Sequence, residues 1–247
     1  MSAAAPSAPT TPLDGLAAAL AGRGHAVLAP ADFARLAGTS VVELDALRPS
    51  WDALPLDAHL RDGGRYRRRR HASFIVDGGD VRLMPQRAHW QPIEYNALHG
   101  GLERWFAPVE PAVADADAWR CLLSGCGALF ARVREVPVWY IEAHQFRIDT
   151  EHGIGRPTPE GAHRDGVDFI AIVLVARERV IGGETRVFPL GSDQGVRFTL
   201  EEPWSALLLD DTRVVHETTP IQQAASDVGW RDTLVITYRA GGFQAPG

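Results

Sequence analysis

Apolar side chains recur at every second position in five stretches of the C-terminal half, residues 139–148, 167–176, 184–188, 204–209 and 233–239, parted by Gly- and Pro-bearing turns. A strand turns successive side chains to opposite faces, so this rhythm demands half-buried sheets rather than a helical bundle. Several short strands in succession predict an antiparallel sandwich or barrel.

The N-terminal half reads differently. Residues 13–22 and 31–37 are Ala- and Leu-rich and predict short helices, with 41–51 as another helix or a loop. Residues 117–136 carry Trp119, Leu122, Leu123, Cys126, Phe130 and Val133 at helical spacing. These elements suit a helical cover over the strands. Residues 91–106, with paired glycines at Gly100 and Gly101, suit a loop entering a short helix beside a cleft.

With 247 residues, 45% of them hydrophobic, the chain has enough apolar surface for one sizeable core. The expected organisation is a disordered Ala/Ser/Pro-rich tail over 1–12 and a single domain over 13–247, its β core at about 139–239. A net charge of -6 gives no general attraction to nucleic acid or an anionic membrane. No apolar run approaches the roughly 20 residues that span a bilayer. Cys121 and Cys126, the two cysteines, match no zinc or redox spacing and read as buried free thiols in a cytoplasmic protein.

His163 and Asp165 lie two apart at the mouth of an apolar strand, so both side chains point to one face, roughly 6.5 Å apart along the backbone. His216, after fifty intervening residues, supplies a third ligand at another strand start. Two imidazoles and a carboxylate bind Fe(II) while leaving positions open for an oxo-acid and O2. Zinc remains compatible with the same spacing. Downstream, Arg231 and Thr233 share a strand face, and a buried Arg beside a Thr is a seat for the distal carboxylate of 2-oxoglutarate. Dyad, distal histidine and arginine fall in the order of a double-stranded β-helix, the jelly-roll of cupin-like proteins.

On the strand at 139–148, Gln145 and Arg147 share a face with Trp139 and are expected at the cavity mouth, binding cosubstrate or substrate. The cluster Arg61, Arg65 and Arg67 to Arg70 is either a charged edge strand or a carboxylate clamp.

At these residues the chain resembles the bacterial 2-oxoglutarate/Fe(II) dioxygenases of the free L-amino-acid hydroxylase type, those like L-isoleucine 4-hydroxylase. The resemblance lies in PEGAHRDGVDFIAIVLVARERVIGGETRVF (159–188), LLLDDTRVVHETTPI (207–221) and WRDTLVITYR (230–239). Upstream it extends through YRRRRHASF (66–74), QPIEYNALHGGLERWF (91–106) and EAHQFRI (142–148). It implies His163, Asp165 and His216 as iron ligands and Arg231 as the cosubstrate's partner. It also implies hydroxylation of an unactivated C–H bond with release of succinate and CO2, O2 as oxidant and ascorbate as reductant in vitro. Arg164 departs from the uncharged polar residue expected between the dyad members and bears on substrate choice. For a free amino acid, Arg67, Arg147, Glu94 and Arg164 are the candidate substrate contacts. A cupin-type zinc or manganese enzyme and a non-catalytic ligand-binding protein on the same scaffold are the alternatives.

Overall fold

A computed structural model describes residues 8–96, 98 and 100–246. The chain opens with α1 (Leu16–Arg23), β1 (His25–Leu28), α2 (Pro30–Ala37) and α3 (Val41–Asp45). Next come the hairpin of β2 (Arg67–Asp77) and β3 (Asp80–Leu83), then α4 (Pro111–Ala114), α5 (Asp117–Val133) and β4 (Val138–Asp149). The remainder is β5 (Phe169–Glu178), β6 (Val180–Gly182), β7 (Thr185–Pro189), β8 (Val196–Phe198), β9 (Ala206–Asp210), β10 (Val214–Thr218), β11 (Ile221–Gln223) and β12 (Trp230–Arg239).

A seven-stranded sheet runs in the order β1-β9-β5-β12-β4-β2-β3, and smaller sheets, β10-β7-β8 and β11-β6, complete the strands. The pairings are antiparallel throughout. This is the jelly-roll that the strand rhythm and the order of the site residues predict.

The large sheet is buried on both faces, which explains why β5 is apolar at successive positions instead of strictly alternating. Its helix-facing side, with Phe74, Ile141, Val173, Ile236 and Tyr238, packs in one cluster with Leu122, Cys126 and Phe130 of α5. The other side contributes Ile170, Ile172 and Leu174 to a second cluster with Val187, Phe198 and Val214 of the small sheet. The cavity opens on that second side. Trp139 Nε1 donates to Gly127 O and Tyr238 Oη to Leu123 O, so these two aromatic side chains of the large sheet have their polar atoms paired to α5.

Several expectations change. Of the proposed tail, residues 1–7 lie outside the described residues, but Thr11 is fixed: its N–H donates to Val27 O and its Oγ1 accepts from Arg23. The helical cover also contains β1, an edge strand paired to β9. β2 is not a free edge: β3 pairs with Phe74–Asp77, and beside the arginines residues 55–57 and 107–109 make backbone hydrogen bonds to its outer side. No helix forms among the described residues of 91–106, where Pro92 O accepts from Tyr95 and Asn96 and Gly100 folds back on Asn96 O. Both cysteines are free, though only Cys126 is buried; burial pushes its thiol up to about 12. No helix among the described residues is long and apolar enough to cross a membrane.

Candidate active site

His163 precedes β5 and His216 lies within β10, yet the two are joined by reciprocal backbone hydrogen bonds, His163 N to His216 O at 3.0 Å and His216 N to His163 O at 2.9 Å. That bridge sets their imidazoles 4.7 Å apart, centroid to centroid. One ligand atom from each of His163, Asp165 and His216 lies within 4.8 Å of the others. Gly161 O accepts from His163 Nδ1 at 2.9 Å, which places the proton on Nδ1 and leaves Nε2 as the ligand atom. Burial opposes charge on His163, but Asp165 and Glu160 outweigh it and raise its pKa. His216 is pushed down to about 3 by burial and by the neighbouring His163.

The loop carrying Asp165 is held by a carboxylate from β9's end. Asp211 is fully buried and accepts three backbone N–H bonds, from Asp165 at 3.1 Å, Gly166 at 2.8 Å and Val167 at 3.1 Å. Gly166 adopts φ +76°, and a Cβ there would meet the Tyr95 ring at 2.4 Å, so both conformation and space require glycine. The Asp165 carboxylate itself accepts from Gln91 Nε2 at 2.9 Å.

Register defines the cavity wall. Ile148 of β4 stands opposite Arg231 of β12 on one side and Arg67 of β2 on the other; the next pair of positions places Phe146 between Thr233 and Arg69, then His144 between Val235 and His71. Opposed residues of an antiparallel pair share a face, so the guanidiniums of β12 and β2 stand two strand spacings apart, roughly 10 Å at the backbone. Arg231, Thr233, Arg67 and Arg69 line one cavity with His163, Asp165 and His216.

These cations are under-partnered. Arg231 is buried, and its Nε and Nη2 meet no hydrogen-bond partner among the described residues. Burial and Arg177 push it down to about 10. On the β2 side, Asp57 accepts from Arg67 Nε at 2.8 Å and lies 3.8 Å from Arg69 Nη1, one carboxylate for two buried guanidiniums. Arg104 adds a third. Its Nη2 donates to Gln91 Oε1 at 2.9 Å, while Arg67 Nη2, Arg69 Nε and Arg104 Nε are left without partners. A buried cation without a counter-charge costs several kcal/mol; Arg67 and Arg69 share Asp57, with Arg69 also between the Phe106 and Phe146 rings, so positive charge is left in excess on this side of the cavity. His216 Nδ1 likewise meets no partner among the described residues, which leaves that imidazole uncommitted within the protein.

The sequence profile of the family described as 2OG-Fe dioxygenase matches residues 48–237. The chain belongs to the 2OG-Fe dioxygenase family. It is 50% identical to a bsmA homologue from Methylobium petroleophilum PM1 of known crystal structure, with a TM-score of 0.92 over 98% of both chains. It shares its fold with IDO from Bacillus thuringiensis (16% identity, TM-score 0.76, 95% of this chain and 98% of that one). The same holds for the Fe(II)/α-ketoglutarate-dependent dioxygenase TqaL (20% identity, TM-score 0.71, 92% and 87%). Comparison with curated proteins gave no match. As a 2OG-Fe dioxygenase the protein uses Fe(II), 2-oxoglutarate and O2.

A second group in this 2OG-Fe dioxygenase, His71, His89, Glu142 and His144, also brings ligand atoms within 4.8 Å. Its chemistry is unlike the triad's. Arg69 Nη2 donates to His144 Nδ1 at 2.8 Å, which fixes the proton on Nε2; His71 stacks on His144 with 19° between planes. Glu142 accepts from Arg87 Nη1 and from His89 Nδ1, both at 2.9 Å. Arg69 and Arg87 crowd the group with positive charge, and His144 Nδ1 and both Glu142 oxygens are taken up by hydrogen bonds, so it forms a hydrogen-bonded cluster in and behind the cavity wall.

Of the other residues singled out in the sequence, Gln145 and Arg147 point away from the cavity. They lie on the face of β4 that meets the N-terminal segments: Gln145 Nε2 donates to Ser50 Oγ, and Arg147 pairs with Asp232 at 2.7 Å and Asp52 at 2.9 Å. Glu94 is exposed in a turn, and Arg164 Nε donates to Asp211 O while its guanidinium lies over Tyr95. None of these four lines the cavity. Arg69, Arg104, Gln91 and Glu160 do; sequence reasoning held Arg69 only as one member of the arginine cluster read as an edge strand or a clamp, and did not single out the other three. Alternation along β2 was the available signal for Arg69, which shares a face with Arg67.

Proposed function

We propose that this 2OG-Fe dioxygenase hydroxylates an unactivated C–H bond of a free L-amino acid. His163, Asp165 and His216 hold the iron, and Arg231 with Thr233 seats the distal carboxylate of 2-oxoglutarate. The observation that carries this reading is the division of the cavity's guanidiniums: Arg231 on β12 for one carboxylate, Arg67 and its neighbours on β2 for another. Two separate anion seats beside one metal group fit a cosubstrate and an acidic substrate bound together.

Bound Fe(II) and 2-oxoglutarate supply the oxidising power: one atom of O2 enters the C–H bond, the other enters succinate, and CO2 leaves. The chain's own residues bind and orient. Arg231 fixes the reach of the cosubstrate, with the Thr233 hydroxyl beside it on the same face. Gln91 holds the Asp165 carboxylate from one side while Asp211 fixes its backbone from the other. Ile148, Ile172 and Val235 give the wall an apolar stretch against which a hydrocarbon side chain packs and from which water is excluded. A zinc hydrolase, compatible with the triad alone, leaves the buried Arg231 unexplained.

The test is mass spectrometry of products from a pool of L-amino acids incubated with Fe(II), ascorbate and 2-oxoglutarate. Gain of one oxygen by a pool member, with stoichiometric succinate, is the expected result. A pool left unchanged defeats the amino-acid reading.

A further inference from the structure

Three buried guanidiniums at the β2 end account for a carboxylate but not for an amino group. The cavity holds one carboxylate that does. Glu160, on the loop before His163, lines the cavity; its Oε1 lies 3.5 Å from His163 Nε2, and its Oε2 is buried without a hydrogen-bond partner among the described residues. The side chain is 13% exposed, so its orphan oxygen is not satisfied by bulk water. An ionised carboxylate only accepts, and in this cavity the ligand it is short of is a donor with positive charge.

The partners of Glu160 place it. Arg104 feels its charge, and Arg104 is joined to Asp165 through one side chain, since Gln91 accepts from Arg104 and donates to Asp165, each at 2.9 Å. Glu160 stands next to one triad histidine and Arg104 one glutamine away from the triad carboxylate. A negative and a positive group, each with a buried polar atom that meets no partner among the described residues, thus lie beside the metal group in one cavity.

We infer that Glu160 receives the α-ammonium of the substrate while Arg104, with Arg67 and Arg69, receives its α-carboxylate. The inference rests on the amino-acid reading and narrows it: the substrate has a free, protonated amino group. N-acylated amino acids and 2-hydroxy acids lack the positive donor and are discriminated against. The device is the economy of an unpaired carboxylate, which is costly empty and is neutralised by the correct ligand alone.

Calorimetry with the protein loaded with Mn(II) and 2-oxoglutarate tests it without turnover. The twenty L-amino acids are titrated first, then the 2-hydroxy and N-acetyl analogues of those that bind, into wild type and Glu160→Gln. Wild type is expected to favour the amino acid. In Glu160→Gln amino-acid affinity falls by on the order of 10- to 100-fold, 2-hydroxy-acid affinity stays or rises, and Mn(II) affinity is unchanged. An unaltered ratio of amino-acid to 2-hydroxy-acid affinity in the variant overturns the assignment. So does a fall in Mn(II) affinity that weakens both ligands alike, which makes Glu160 a support of the metal group. If wild type binds none of the twenty, the amino-acid reading itself has failed, and that result is visible before the variant is made.

Discussion

Arg231 and Arg67 stand in one row of the large sheet, each directly opposite Ile148 on the strand between them. The two cations therefore enter one cavity from strands roughly 10 Å apart at the backbone, and the proposed function gives each its own carboxylate. Arg231→Met is expected to weaken 2-oxoglutarate about 100-fold, whereas Arg67→Met leaves it within about twofold. Anaerobic titration of the Fe(II) protein with 2-oxoglutarate, followed through the visible charge-transfer band, separates them. The reverse pattern moves the cosubstrate to β2. Because Arg231 Nε and Nη2 are buried with no partner among the described residues, Arg231→Met also leaves the melting temperature of the metal-free protein unchanged or higher.

Asp211 never touches the cavity, yet its loss is expected to reach the metal. Asp211→Ala frees three backbone N–H groups at residues 165–167 and should cost about 2–4 kcal/mol in stability and about 10- to 100-fold in Fe(II) affinity. Chemical denaturation and metal titration read the two effects. His163→Ala or Asp165→Ala abolishes turnover with far less loss of stability, a contrast that distinguishes a ligand from its support.

Arg147 gives the opposite profile. Its bidentate contact with Asp232, which is 1% exposed, predicts that Arg147→Ala destabilises the fold by about 3 kcal/mol by stranding a buried carboxylate. The KM values for 2-oxoglutarate and substrate stay near wild type. A large KM change with normal stability places Arg147 in the site instead.

Acid should loosen the metal-free protein through the imidazole wall. Burial, opposed by Glu142, pushes His89 down from its ordinary 6.5 to about 4, and His71 and His144 shift in the same direction. Between about pH 6.5 and 4 the unfolded chain takes up protons that folded His89 refuses, so stability is full above 6.5 and is lost as pH falls to about 4. At about 1.4 kcal/mol per unit of pKa, the loss through His89 is a few kcal/mol. Denaturation midpoints across this range check it. Asp211, pushed up to about 7 by burial and by Asp165, works in the opposite direction over the same range, so the readout is the difference between proteins: His89→Gln loses less stability on acidification than wild type, and equal slopes refute the assignment.

The parts of the site legible in the sequence were those written by local spacing. His163 and Asp165 lie two apart, His216 and Arg231 sit in apolar strands, and alternation along β12 put Arg231 and Thr233 on one face. Alternation does not say which face of a strand is the cavity face. On β4, Gln145 and Arg147 drew attention because they are polar, but their partners Ser50 and Asp232 are distant in sequence and sit on the other side of the sheet. The cavity side is instead Glu142, His144 and Phe146, whose polar atoms are satisfied by Arg87, His89 and Arg69 from elements that only the fold brings near. Glu160, Asp57 and Arg104 lie outside the strands, where no periodicity marks a side chain as inward.

The backbone bridge between His163 and His216 reaches beyond the geometry of a single turnover. Its two hydrogen bonds belong to the polypeptide and involve neither imidazole, so they do not depend on a bound metal ion. An empty protein keeps its histidines abreast, and recharging it is a matter of an ion arriving rather than of a chain finding its shape again.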